Sequence, residues 1–219
     1  MTTFALTQSG REHILSGLAA THPDNVPSLR EIAHSLAQIN RYTGHASRPY
    51  SVAEHSLLVC MFAKADGASN AVAFAALMHD AHEAIVGDVS SQIKIELGEV
   101  WAAFEWKHQR HLLEQYELLD VYSEHKAAIK RWDLMALATE RRDLMPYTPG
   151  ISTPWTVLDT PGAEVLPDAN INLNAPQRQL NIWQTWAYLF ENRAALLQER
   201  MAVDAFEAAD NAVDMRKAA

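Results

Sequence analysis

Cysteine is nearly absent from this chain: Cys60 stands alone among 219 residues. A single thiol excludes an intramolecular disulfide and fits a reducing compartment. Cys60 sits in an apolar helical stretch, so it reads as core filler. Glycine is scarce too, 8 in all, and alternating strand-like runs are few, which points to an all-α protein. No uninterrupted apolar run approaches the ~20 residues that a membrane span needs. Met1–Gly10 has no basic start and no long apolar stretch, so no signal peptide and a cytoplasmic location are expected. Positive charge is short, with 18 Lys and Arg against 27 Asp and Glu, a formal net charge of −9. That excludes general binding to a nucleic-acid polymer, which needs a basic surface. It leaves open a small anion held by local cations or a metal.

What is present is a hydrophobic content of 48%, enough for a real core. One domain is expected over residues 1–219, with its core at about 28–198, an N-terminal segment at 1–27 and a tail at 199–219. Thr3–Thr7 and His13–Leu15 flank Gln8-Ser9-Gly10, which reads as a small β-hairpin. Ser28 with Glu31 forms a capping box before the apolar positions Leu29, Ile32, Leu36 and Ile39. Ser51 with Glu54 reads as a second capping box, opening a helix to about Ala65. A third helix is predicted from about Ala71 to Val86, ended by Gly87 and apolar nearly all round before His79. Further helices are predicted over Val100–Leu119, Ser123–Met145 and Asn174–Gln198. Between the last two, Thr148–Pro176 carries five prolines and few periodic apolar positions. So long an irregular stretch suits a wrap over the surface or a cover over a site.

The chemistry concentrates at His79-Asp80, two adjacent metal-binding side chains at the end of a buried-looking segment. His55 lies in an upstream helix, and Asp133 interrupts an apolar stretch downstream, where an unpaired carboxylate costs a few kcal/mol to bury. Two imidazoles and two carboxylates suit a divalent metal that keeps positions open for water and substrate. On this predicted helix His79 and Glu83 are four apart and share one face, which sets a free carboxylate one turn from the ligands. Asp88 follows the helix end as a candidate second acid or base. Arg41 and Lys94 are candidate phosphate clamps, the first bidentate and the second a point charge. His108, His111 and His125 are candidates for a second metal.

The order His55, His79-Asp80, Asp133 resembles the HD-domain metal-dependent phosphohydrolases. Arg41-Tyr42-Thr43-Gly44-His45, Ser51-Val52-Ala53-Glu54-His55-Ser56, Leu77-Met78-His79-Asp80-Ala81-His82-Glu83-Ala84 and Gly87-Asp88 are similar to the branch holding bacterial 5'-deoxynucleotidases, prophage HD hydrolases and phage dATP triphosphohydrolases. Asp133–Leu144 resembles that branch as well, and the similarity covers about Ser28–Met145. It implies an HD-domain helical bundle in which His55, His79, Asp80 and Asp133 bind a divalent ion, one of Co, Mn, Zn, Fe or Mg. It also implies that Glu83 handles the attacking water and that Asp88 is the second catalytic carboxylate. Arg41, Tyr42, Lys94 and His45 would meet the substrate. Nucleotidases of the branch place a Trp after the matching Arg, where it crowds the sugar 2' position; Tyr42 stands there in this chain.

The expected activity is hydrolysis of a deoxynucleoside monophosphate, with water activated at the metal attacking the 5'-linked phosphate. Release of triphosphate from a dNTP is the alternative, with Arg48, Lys94, Arg141 and Arg142 as possible extra cations. Remoter alternatives are a di-iron HD oxygenase, which needs His108 or His125 as ligands, and a non-catalytic nucleotide-binding module. A nucleotide substrate, no membrane and a homo-oligomer complete the expectation.

Overall fold

Ser28 opens the first helix through the reciprocal pattern its sequence predicts. Its hydroxyl accepts from the Glu31 backbone N–H at 3.3 Å, and the Glu31 carboxylate accepts from the Ser28 N–H at 2.8 Å. In the computed structural model, which describes the backbone of residues 3–217 and the side chains of residues 3–210, this helix is α1 (Leu29–Leu36). Residues 1–2 of the expected N-terminal segment and 218–219 of the expected tail lie outside the described residues. Ahead of α1, strands β1 (Phe4–Leu6) and β2 (Glu12–Ile14) pair antiparallel with Phe4 opposite Ile14. The hairpin is tied to α1 where the Ser9 hydroxyl donates to Glu31 at 2.5 Å.

Beyond α1 come α2 (Val52–Ala65), α3 (Asn70–Leu77), α4 (Glu83–Val86), α5 (Ser91–Gln115), α6 (Leu119–Glu124) and α7 (Lys126–Leu144). They are followed by α8 (Thr156–Asp159), α9 (Pro176–Gln179) and the long α10 (Trp183–Lys217). The molecule is an all-α bundle with one small N-terminal hairpin. Helix α3 is its centre, flanked by α2 and α10, while α7 lies on α2. Buried Ile32, Leu36, Leu58, Phe74, Leu77 and Phe190 come from α1, α2, α3 and α10 and form one core. Among the described residues no helix is long and apolar enough to cross a membrane.

Several predicted elements are corrected. The helix expected from Ala71 to Val86 breaks at Met78–His82. The Ala76 carbonyl, which a continuous helix would use for the Asp80 N–H, lies 2.8 Å from His79 Nδ1. The His79 carbonyl accepts from the Gln109 side chain at 2.8 Å, while the Glu83 N–H turns to the Asp80 carbonyl. The predicted Ser51–Glu54 capping box is only half made. The Ser51 hydroxyl caps the Glu54 N–H, but the Glu54 carboxylate is fully buried between Arg48 and Arg178. The helix predicted from Val100 begins at Ser91, with Gly98 at φ 60° where other residues are strained. The helix predicted over Ser123–Met145 is interrupted at His125. The predicted final helix is broken near Leu180–Ile182 and then runs on through most of the expected tail.

Candidate metal centre

Each side chain of the candidate site comes from a place where the chain is locally constrained. His55 lies in the first turns of α2, where the Ser51 cap fixes the entry. His79 and Asp80 occupy the α3–α4 turn, not a helix face, so the predicted helical adjacency of His79 and Glu83 is replaced by a tight turn that ends where Glu83 begins α4. Asp133 projects from α7. Arg41–Tyr50 is a loop closed at its base, since the Arg41 N–H donates to the Tyr50 carbonyl at 2.9 Å and Asn40 bridges Ser51. Inside it Tyr42 and Thr43 hold φ of 57° and 52°. Such left-handed backbone costs about 1–3 kcal/mol per non-glycine residue and gathers at functional sites.

The four expected ligands are brought together. His55 Nε2 lies 3.3 Å from His79 Nε2, 3.5 Å from Asp80 Oδ2 and 3.3 Å from Asp133 Oδ1. His79 Nε2 lies 3.1 Å from Asp80 Oδ2 and 3.9 Å from Asp133 Oδ1. Donors about 2.0–2.2 Å from one ion stand roughly 3–3.5 Å from each other; His55, His79 and Asp80 meet that spacing, while Asp133 meets it to His55 and stands wider from His79. The donor chemistry fits as well. His79 Nδ1 faces the Ala76 carbonyl, and His55 Nδ1 lies 2.6 Å from Glu140 Oε1. Each Nδ1 therefore donates its proton, so each Nε2 is the nitrogen left to give a lone pair to an ion. Two imidazole nitrogens and two carboxylate oxygens gathered here suit a bound cation.

Glu140 was not among the candidates read from the sequence, yet it organises the site. It is fully buried. Besides His55 it accepts from Tyr50 at 3.0 Å, from Arg41 at 3.3 Å and from the Tyr42 hydroxyl. Burial opposes its ionisation, but Arg41 and His55 bring its pKa down to about 2. Burial and Arg41 work against a charge on His55, but Glu140 and Asp133 prevail and raise it to about 9. Burial likewise works against Asp80 and Asp133, yet His79 beside the first and His55 beside the second hold both well below the usual carboxylate range. Arg41 and a protonated His55 leave one of the three ionised carboxylates unbalanced within the cluster, and Lys130, bound to Asp133 at 2.7 Å, is largely exposed at the rim.

Glu83 has the opposite character. Burial first, then Asp80 and Asp88, raise its pKa well above the ordinary value, and its buried Oε2 has no hydrogen-bond partner. Asp88 is half-buried and shifted upward by burial, with Asp80 adding to the shift and Arg41 opposing it. Gly87 between them takes φ 83° to end α4. Arg41 reaches Asp80 at 3.6 Å. Lys94 lies on α5 and is bound to Glu105 at 2.6 Å. His45 is exposed and makes no side-chain hydrogen bond. The Tyr42 hydroxyl is taken by Glu140, while its ring lies 6.3 Å from that of Trp155.

Among the described residues two groups gather three possible metal-ligating atoms: His55, His79 and Asp80, and beside them His82, Glu83 and Glu105. His108, His111 and His125 join neither. His108 and His111 are buried near His13 and line a small cavity with His82. The di-iron reading therefore lacks its extra ligands in this arrangement.

Residues 29–125 match the family model described as 5'-deoxynucleotidase YfbR-like. Over that stretch the chain is similar to the YfbR-like family. Uncharacterized protein YfdR of Escherichia coli (strain K12) is 40% identical over 116 residues, 53% of this chain and 60% of that protein. Uncharacterized protein RCAP_rcc00048 of Rhodobacter capsulatus is 39% identical over 94 residues, 40% of this chain and 48% of that one. The chain thus spans about half the length of the curated relatives it matches. The YfbR-like match contains Arg41, His55, His79, Asp80, Glu83 and Asp88 and ends before Asp133 and Glu140.

Proposed function

We propose that this chain is a divalent-metal-dependent phosphohydrolase that releases phosphate from a deoxynucleoside 5'-monophosphate. The observation that carries this reading is the convergence of His55, His79, Asp80 and Asp133 beside a buried, high-pKa Glu83. These four residues hold the ion. A divalent cation supplies Lewis acidity, which lowers the pKa of water and withdraws charge from a phosphoryl oxygen.

The protein's own groups then do the proton work. Positive charge in the cage, with Arg41 and Lys94, opposes the upward shift that burial imposes on Glu83 and favours the ionised carboxylate that takes a proton. Its unpartnered Oε2 accepts the proton of the attacking water. As the new O–P bond forms, the P–O5' bond breaks, and Asp88 delivers a proton to the departing 5' oxygen. Arg41 spends Nε on Glu140 and sets one terminal nitrogen near Asp80. Its remaining N–H donors hold the phosphate oxygens.

Monophosphate is favoured over triphosphate by the commitments of the other cations. Arg48 is bound to Glu54, Arg141 to Asp159 and Arg142 to Asp143, and Lys94 to Glu105. None is left over for two further phosphates. The deoxy sugar is favoured because Tyr42, with its hydroxyl engaged on Glu140, offers a ribose 2'-OH only an aromatic wall. An unpaired buried hydroxyl costs about 1–3 kcal/mol, or roughly 5–150-fold in kcat/KM.

The test is product analysis over a panel of ribo- and deoxyribonucleoside mono-, di- and triphosphates with Mn, Co, Zn, Fe and Mg. Inorganic phosphate from deoxynucleoside monophosphates, abolished by chelation, is the expected result. Triphosphate released from dNTPs, or no release with any metal, overturns the reading.

A further inference from the structure

The stretch from Thr148 to Pro176 lies outside the YfbR-like match, and its helical structure is limited to α8 and the first residue of α9. It is nevertheless held along its length by α7. Asp159 takes both terminal nitrogens of Arg141, at 2.5 and 2.8 Å, and accepts from the Trp155 N–H at 2.6 Å. Further on, the Asp168 N–H donates to the Thr139 hydroxyl at 3.0 Å and the Leu173 N–H to Asp143 at 2.8 Å. Leu158 is fully buried. An irregular segment fixed this firmly is a built wall.

What the wall carries is Trp155. Its ring lies 6.3 Å from Tyr42 and 6.3 Å from Tyr147, and Arg141 backs the group at 5.5 Å from Trp155 and 4.2 Å from Tyr147. Arg141 is neutralised by Asp159, so it stiffens the rings and is not available to an anion. All three rings are half-exposed. They stand next in line from the metal cage, since Tyr42 follows Arg41 and Arg41 reaches Asp80. A partly exposed cluster of aromatic rings that adjoins Arg41 through Tyr42 suits a planar aromatic ligand, which stacks without base-specific hydrogen bonds.

We infer that Trp155, with Tyr42 and Tyr147, forms the nucleobase subsite, accepting the purine or pyrimidine ring of the 5'-nucleotide. This rests on the proposed function, because the ring is placed by a phosphate held at Arg41.

The test compares the metal-loaded full chain on a deoxynucleoside 5'-monophosphate and on base-free 2-deoxyribose 5-phosphate. Trp155→Ala should raise KM for the nucleotide by about 5–150-fold, the range for losing one base–aromatic stack. Turnover of the sugar phosphate should stay unchanged, which also reports that the variant is folded. Trp155→Phe should recover most of the loss. Equal loss on both substrates, or none on the nucleotide, overturns the inference. If the unaltered chain hydrolyses neither ester, the proposed function fails on its own. Calorimetric binding of the nucleotide then decides the subsite: the same fold-loss in Trp155→Ala sustains it, while equal or absent affinity overturns it.

Discussion

Glu140 shows how much of a site can rest on one fully buried carboxylate. It fixes the His55 tautomer, anchors Arg41 and orients Tyr42 and Tyr50. Glu140→Gln keeps the shape but removes the charge, so divalent-ion affinity should fall about 10–100-fold, as for other groups behind a ligating histidine. Isothermal titration with Mn or Co measures this, and unchanged affinity would refute the role. Glu83→Gln should behave differently, with metal affinity kept and turnover down about 10²–10⁴. A variant that lost its metal would make Glu83 a ligand instead of a proton carrier. The two residues also differed in legibility. Glu83 stood out beside His79-Asp80 in a short motif. Glu140 looked like an ordinary charge before Arg141-Arg142, although it is seven residues, two helical turns, beyond Asp133 and so on the same face. That spacing was the available signal.

Among the elements, the α3–α4 break decides where His79 and Asp80 lie. Its apolar periodicity read as one helix because Met78–His82 contains neither Gly nor Pro. The break comes from His79 Nδ1 and the Gln109 side chain taking the two carbonyls that a helix would use, and Gln109 is thirty residues away. No local pattern encodes that. Local signals held in the Ser28–Glu31 box, the hairpin and the Gly87 stop, while the Ser51–Glu54 box formed only half because Arg48 and Arg178 take the Glu54 carboxylate. The box also sets a pH dependence. Burial works against the Glu31 charge, but the Ser9 hydroxyl and the Ser28 N–H lower its pKa to about 2, against an ordinary value of 4.5. A carboxylate with a depressed folded-state pKa adds stability that is present above pH 4.5 and lost as pH falls toward 2. Glu31→Gln should therefore cost about 1 kcal/mol at pH 7, the usual value of such a cap. The gap to the unaltered chain should close between pH 4.5 and about 2. Urea melts across that range measure it, and a gap independent of pH would mean that the charge contributes nothing.

For the whole molecule, the candidate site joins parts that are distant in sequence: α2, the α3–α4 turn and α7 carry the candidate ligands, and the Arg41–Tyr50 loop brings Arg41, Tyr42 and Tyr50 to Glu140. Composition and periodicity disclosed the all-α class and these helices, because burial repeats every three or four residues. They did not disclose the path of Thr148–Pro176, which is set by side-chain hydrogen bonds to α7 and has no periodicity to read. The cage spans helices that pack on one core, so an ion bound there ties those helices together only in the folded state. An ion at a hundred times its dissociation constant then adds about 2.7 kcal/mol to stability. For a chain of this length each kcal/mol moves Tm by about 2–4 °C, so saturating Mn or Co should raise Tm by roughly 5–11 °C. Asp133→Ala removes the one ligand supplied by α7 and leaves His55, His79 and Asp80 in place, so most of that shift should vanish. Differential scanning calorimetry of both proteins with and without chelator makes the comparison. A shift of the same size in Asp133→Ala would mean that α7 supplies no ligand and that the cage closes on three residues alone.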